Sequence, residues 1–237
     1  MTLHPIKAIF FDAAGTLFTV NGSVGDIYAR LARDHGKDVA VADLELGFRR
    51  CFATAPPMAF PSASPERIPI LEKQWWKTLV HDVFAPLGAF PRFGEYFDAL
   101  FAFFAQAEAW RLYPETRATL ETLTSRGFIV GVISNFDSRL FNILDGFGIT
   151  RFFDPIVIST RAGAAKPERE IFTQALARAG VEAREALHIG DSYDADIIGA
   201  RHAGLTPVLV ERSGKPPKHE GQLTVSNLAE LLPMLRP

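Results

Sequence analysis

A single cysteine, Cys51, occurs among 237 residues, which excludes an intramolecular disulfide framework and any CxxC metal site and fits a reducing compartment. Charge of either sign is not in surplus. With 25 Lys+Arg against 27 Asp+Glu the formal net charge is −2, and no basic run is present to track a phosphate backbone, so nucleic acid and anionic membrane are excluded as expected partners. Long apolar runs are missing too. The stretch from Ile6 to Phe11 is interrupted by Lys7 and stopped by Asp12, short of the core of a signal peptide or a membrane span, and a cytoplasmic location is expected. The six histidines show no HExxH or similar spacing, and His188, inside an apolar run, reads as a packed residue. Cys51 lies in a helical pattern beside Phe52 and reads as a wholly or partly buried free thiol.

What is present is an ordinary globular mixture, 48% hydrophobic and 22% charged, with an excess of phenylalanine at 20 residues. At roughly 150 residues per domain the length amounts to about one and a half domains. Five short apolar runs have the length of buried strands: Lys7–Phe11, Phe128–Ile133, Pro155–Ile158, Ala186–Ile189 and Pro207–Val210. Helical spacing lies between the later ones, over Glu115–Thr124, Arg139–Leu144, Glu168–Ala179 and Asp194–His202. Strands alternating with helices imply βαβ units and a parallel sheet, that is, an α/β fold with a Rossmann-like core.

The first strand is followed by helices only, at Val24–His35 behind a good N-cap in Ser23, then Val41–Ala53, Glu66–Phe84 and Phe93–Gln106. The expected organisation is therefore a core of residues 1–20 and 111–237 with an all-helical insert at 21–110. Phe93, Phe97, Leu100, Phe101 and Phe104 fall on one stripe of the last helix, which reads as core-facing and, in part, as the wall of a pocket or a dimer patch. Trp75 and Trp76 are about 100° apart on a helix, so at most one is central to the insert's core. Lys215-Pro-Pro-Lys218 reads as a solvated loop.

In open parallel sheets ligands bind beyond the carboxyl ends of the strands. There the first strand delivers Asp12-Ala-Ala-Gly15-Thr16, the second Ser134-Asn135, and the fourth Gly190-Asp191 through Asp196, while Lys166-Pro167 follows the third. Carboxylates gathered at one point repel one another and suit a hard divalent cation, Mg²⁺. Ser134, Asn135, Lys166 and the turn at Gly15-Thr16 complement the oxygens of a phosphoryl group.

Phe10-Phe-Asp12-Ala-Ala-Gly-Thr-Leu17, Val132-Ile-Ser134-Asn135, Lys166-Pro167 and Ile189-Gly-Asp191-Ser-Tyr-Asp-Ala-Asp196 together resemble the four motifs of the haloacid dehalogenase (HAD) superfamily, and the insert resembles its C1-type cap. Gly47-Phe48-Arg49, Gln74-Trp75-Trp76, and Phe136-Asp137 with Arg139-Leu140 are similar to the haloacid-dehalogenase-like hydrolase-domain-containing proteins of animals and plants. The resemblance implies a hydrolase in which Asp12 attacks phosphorus. Asp12, the carbonyl of Ala14 and Asp191 would hold Mg²⁺, Ser134 and Lys166 would bind the phosphoryl group, and Asp196 would orient Lys166 or a metal-bound water. The substrate would be a small phosphorylated or halogenated molecule, and the protein a monomer or homodimer.

One position departs from the phosphatase pattern, which carries a second Asp two residues after the nucleophile as general acid and base; here it is Ala14. Three explanations are open. A cap group such as Tyr28 or His35 takes over proton transfer; or the reaction is at carbon, as in 2-haloacid dehalogenases or phosphonoacetaldehyde hydrolases; or the chain is a weakly active or non-catalytic phosphoryl-binding module. The phosphonoacetaldehyde group relies on a cap lysine, and Lys37, Lys73 and Lys77 sit in no matching motif.

Overall fold

The computed structural model describes residues 6–214 and 219–235, so the loop expected at Lys215–Lys218 lies outside the described residues. Along the chain run β1 (Ala8–Phe11), β2 (Phe18–Val20), α1 (Val24–Asp34), α2 (Val41–Thr54), α3 (Ile68–Phe84), α4 (Phe93–Phe103), β3 (Trp110–Leu112) and α5 (Thr116–Ser125). They are followed by β4 (Ile129–Ser134), α6 (Arg139–Gly146), β5 (Ile156–Ile158), α7 (Ser159–Ala162), α8 (Arg169–Ala179), β6 (Ala186–Gly190), α9 (Gly199–Ala203), β7 (Thr206–Val210) and β8 (Thr224–Val225).

Six strands form one parallel sheet in the order β5-β4-β1-β6-β7-β8. The central strand β1 is buried along its whole length, and its side chains alternate: Ile9 and Phe11 enter the layer under α5 and α6, Ala8 and Phe10 the layer under α8 and α9. That two-sided burial is why a run with no polar alternation forms a strand. Phe11 pairs with Val132 of β4 and Ile189 of β6, which puts the next residues of all three strands at one edge of the sheet.

Helices α1 to α4 have a core of their own, built from Ile27, Tyr28, Leu44, Leu79, Val83, Phe84, Tyr96 and Phe97 among others. The Ser23 hydroxyl accepts from the Asp26 amide at 3.0 Å and opens α1 as the sequence suggests. Helix α3 begins at Ile68 rather than Glu66, with Pro69 in its first turn, where a missing amide hydrogen costs nothing. The chain enters and leaves this helical segment through β2 and β3, an antiparallel pair of three residues each that the apolar pattern does not reveal. The segment expected as one helix over Asp194–His202 is a π-helical turn, Tyr193–Ile198, continued by α9. No helix among the described residues is long and apolar enough to cross a membrane.

Candidate active site

The carboxyl edge of the sheet gathers six of the expected side chains. Asp12 leaves β1 with its amide donating to Ile189 O at 2.8 Å, which carries the β1–β6 ladder through this residue. From β4, the Ser134 hydroxyl donates to Asp12 Oδ1 at 2.9 Å. Lys166 reaches the same oxygen at 2.6 Å and Asp196 Oδ1 at 2.5 Å, with only 5% of the residue exposed. Asn135 holds the Lys166 backbone from both sides: its Nδ2 donates to Lys166 O at 2.9 Å and its Oδ1 accepts from Lys166 N at 2.7 Å. The amides of Gly15 and Thr16 are engaged inside the turn, donating to Phe18 O and Ala13 O. Gly15 has φ +89°, and a Cβ there would stand 2.2 Å from Asp191 Oδ2, so glycine is required at this point.

Asp196 is the anchor of the cluster. Its Oδ1 accepts from Lys166 and from His188 Nε2 at 2.8 Å, and its Oδ2 accepts from the Ser192 amide at 3.0 Å. Gly190 makes this possible, because a Cβ there would lie 2.1 Å from Asp196 Cγ. His188 is packed in its strand, as expected, but it also serves the site through that hydrogen bond. Its spacing carries no signal, because the contact arises only when the π-helical turn folds back on β6. The Nδ1 atom of His188 is buried without a partner, and burial holds the imidazole below its ordinary pKa, so it is neutral with the proton on Nε2.

Charge in the cluster is unbalanced. Burial resists ionisation of Lys166, but Asp12 and Asp196 outweigh it and hold the ammonium above its ordinary pKa. Burial likewise opposes ionisation of Asp196, and Lys166 with the His188 hydrogen bond holds that carboxyl well below the usual range. Asp12 is raised, by burial and by Asp196, against the pull of Lys166. Asp191, although open to solvent on one side, is pushed up to about 7 by surrounding protein and by Asp12 and Asp196.

One lysine thus faces three carboxylates whose oxygens come within 4.8 Å of one another. Asp12 Oδ2 and Asp191 take no part in the hydrogen bonds that engage Lys166, Ser134 and Asp196, and these hard oxygens at an electronegative point fit a divalent cation.

The haloacid dehalogenase-like hydrolase model matches residues 6–204. The chain belongs to the haloacid dehalogenase-like hydrolase family. It is 34% identical over 218 residues to haloacid dehalogenase-like hydrolase domain-containing protein 3 of Danio rerio, covering 91% of this chain and 89% of that one. It is 30% identical over 210 residues to a glyceraldehyde 3-phosphate phosphatase of Methanothermobacter thermautotrophicus, covering 86% and 85%. The fold is shared with the L-2-haloacid dehalogenase of Xanthobacter autotrophicus, with a TM-score of 0.70 at 19% identity over 98% of each chain. At this identity the likeness shows the fold alone, so the chemistry is read from the side chains.

Above the HAD site lies a cavity of about 360 Å³ between the helical segment and the sheet edge. Asp12 does not line it, but Ala14 and Asn135 do, together with aromatic residues of α1 to α4. Phe97, Leu100, Phe101 and Phe104 border it, so the helical stripe of the sequence is both core and pocket wall. Trp75 and Trp76 also border it; neither is central to the helical core. Tyr28 is a wall residue whose hydroxyl pKa is raised by burial. His35 is elsewhere, its Nδ1 2.7 Å from Leu31 O and its ring against Tyr96. Cys51 is a half-buried free thiol.

Two further contacts escape local pattern. Trp76 Nε1 donates to Asp137 Oδ2 at 2.6 Å, and Arg139 holds the same carboxylate through Nε and Nη2 at 2.9 and 2.7 Å. Glu72 of α3, buried, accepts from the Ser138 amide and hydroxyl at 3.0 and 2.9 Å and from Thr160 at 2.6 Å. Together they tie the helical segment to the loop after β4 and to α7, which follows β5.

Proposed function

We propose that this HAD hydrolase is a Mg²⁺-dependent phosphohydrolase acting on a small phosphorylated molecule, with residues 1–20 and 111–237 as core and 21–110 as a C1-type cap. The observation that carries the reading is the clamp on Asp12. Its Oδ1 is held by Ser134 and Lys166, so one carboxylate oxygen is oriented while a cation and a hydroxyl wait beside it for the oxygens of an incoming phosphoryl group.

Asp12 forms a bond to phosphorus as the ester oxygen departs with its electron pair, and water then cleaves the aspartyl-phosphate to free the carboxylate and release phosphate. Lys166 neutralises charge on the carboxylate and the phosphoryl group, and Asp196 with His188 keeps the lysine aimed. Asp12, the backbone carbonyl of Ala14 and Asp191 are the residues that would hold Mg²⁺. When bound, the ion supplies positive charge to the phosphoryl oxygens and screens the two carboxylates. The carboxylate cluster and the raised Asp191 support this assignment, and the phosphatase relative supports the reaction class.

Ala14 stands where a proton donor is expected, and it favours a second reading, displacement at carbon in a 2-haloacid. Against it, the one charged side chain among the described residues lining the cavity, Arg139, is already paired with Asp137, so the cavity wall offers a substrate carboxylate no unpaired cation. The separating assay is turnover of p-nitrophenyl phosphate with Mg²⁺ or EDTA, beside halide release from 2-chloropropionate. Mg²⁺-dependent phosphate release that disappears in Asp12→Asn is expected; metal-independent halide release without phosphatase activity would overturn the proposal. Work in a reducing cytoplasm fits the lone cysteine.

A further inference from the structure

The cavity over the site has a size and a lining that specify more than the phosphoryl group. At about 360 Å³ it falls within the range of small-molecule pockets. Its walls include the rings of Tyr28, Trp76, Phe97, Phe101, Phe104 and Trp110, and they also include Ala14, two residues after Asp12, and Asn135, next to Ser134. Such rings offer flat faces and edges to another aromatic group.

Charge on the wall is cancelled. Arg139 is the one Arg, Lys, Asp or Glu among the described residues that line it, and it is spent three times over. Its guanidinium makes two hydrogen bonds to Asp137, lies 4.1 Å from the Phe101 ring centroid and lies 4.9 Å from that of Trp76. Tyr28 is kept neutral by burial. A carboxylate, an ammonium or a polyol entering this space would shed its hydration and find few partners, which costs free energy.

The second observation is independent of the walls. With alanine at position 14, the turn next to Asp12 presents no acid to protonate a leaving oxygen. An alkoxide needs that proton; a phenolate does not. Both observations select the same chemical class.

We infer that the cavity receives the uncharged aromatic body of an aryl phosphate. This rests on the phosphohydrolase reading of Asp12. The phosphoryl group meets Asp12, Ser134 and Lys166; the Asp12 carboxylate forms the bond to phosphorus, the phosphorus–aryl oxygen bond breaks, and phenolate leaves with the electron pair. Water then hydrolyses the aspartyl-phosphate.

The test compares kcat/KM of the full chain with Mg²⁺ for phenyl phosphate, 2-naphthyl phosphate, 4-carboxyphenyl phosphate and acetyl phosphate. The second ring should raise kcat/KM by about 10-fold or more over phenyl phosphate. The charged carboxylate should lower it by at least about 10-fold, although it makes the phenolate a better leaving group. Binding gives a readout without turnover. All three tryptophans, Trp75, Trp76 and Trp110, border the cavity, so benzylphosphonate added to Asp12→Asn should change the intrinsic fluorescence where methylphosphonate does not. Hydrolysis of acetyl phosphate with no gain from the second ring, or with 4-carboxyphenyl phosphate preferred, would overturn the inference and leave the phosphohydrolase reading intact. Absence of turnover on all four, acetyl phosphate included, would overturn that reading and the inference with it.

Discussion

The indole of Trp76, on α3, donates to a carboxylate oxygen of Asp137, three residues beyond Ser134, at 2.6 Å. Asp137 is fully buried and, among the described residues, Arg139 is its one other side-chain partner, so the helical segment and the loop after β4 share one network. Trp76→Phe preserves an aromatic ring and removes the donor. A charge-assisted hydrogen bond lost from a buried acceptor should lower stability by about 1–3 kcal/mol, read as a shift of the urea midpoint. An unchanged midpoint would show that the helical segment is not held by this contact.

Among the described residues, Lys166 is the one Lys or Arg paired with the carboxylate cluster, through Asp12 and Asp196. Lys166→Met should abolish turnover and cost about 3 kcal/mol at neutral pH, because buried carboxylates are left without a counter-charge. The sign with pH follows from the direction of the Asp12 shift. Its folded pKa is already raised, and without the lysine it rises further, so the penalty is present where the unfolded acid is ionised and fades as pH falls and Asp12 takes up a proton. Thermal midpoints of wild type and variant should therefore converge on acidification, and adding Asp12→Asn to the variant should recover part of the loss.

Asp191, pushed up to about 7 by burial and by its two acidic neighbours, must give up a proton when a cation binds. Mg²⁺ affinity should fall by about 10-fold between about pH 8 and about pH 6, with proton uptake by the buffer visible in calorimetry. Affinity that is flat across this interval would remove Asp191 from the metal site.

Ala14→Asp restores a carboxyl beside the leaving group. Turnover of glycerol 3-phosphate should rise by about 10-fold or more, whereas phenyl phosphate, whose phenolate needs no proton, should gain little. Equal gains on both would show that proton donation is not what position 14 lacks.

How much of this was visible beforehand varies with the range of the interaction. Asp12, Ser134 and Asp191 each close an apolar strand run, so strand periodicity and the rule for sheet edges place them together without a structure. Lys166 was legible by order alone. The strands β2, β3 and β8 were not, since two or three residues carry no period. Glu72 looks like any helical glutamate; only pairing with Ser138 and Thr160, 66 and 88 residues away, makes it an anchor. His188 likewise looked like a packed residue, and its hydrogen bond to Asp196 depends on a π-helical turn that helical periodicity cannot anticipate. Of Tyr28 and His35, the two candidate proton donors of the helical segment, Tyr28 borders the cavity and His35 does not, a difference of helix face that one helix alone does not disclose.

The central claim is that Asp12 becomes phosphorylated. A single turnover of p-nitrophenyl phosphate with Mg²⁺, quenched in acid and treated with borohydride to capture acyl phosphates, tests it by peptide mass mapping. The account predicts reduction at Asp12 alone, absent with EDTA and absent in Asp12→Asn. Capture at another residue, or Mg²⁺-dependent turnover that survives Asp12→Asn, would contradict it.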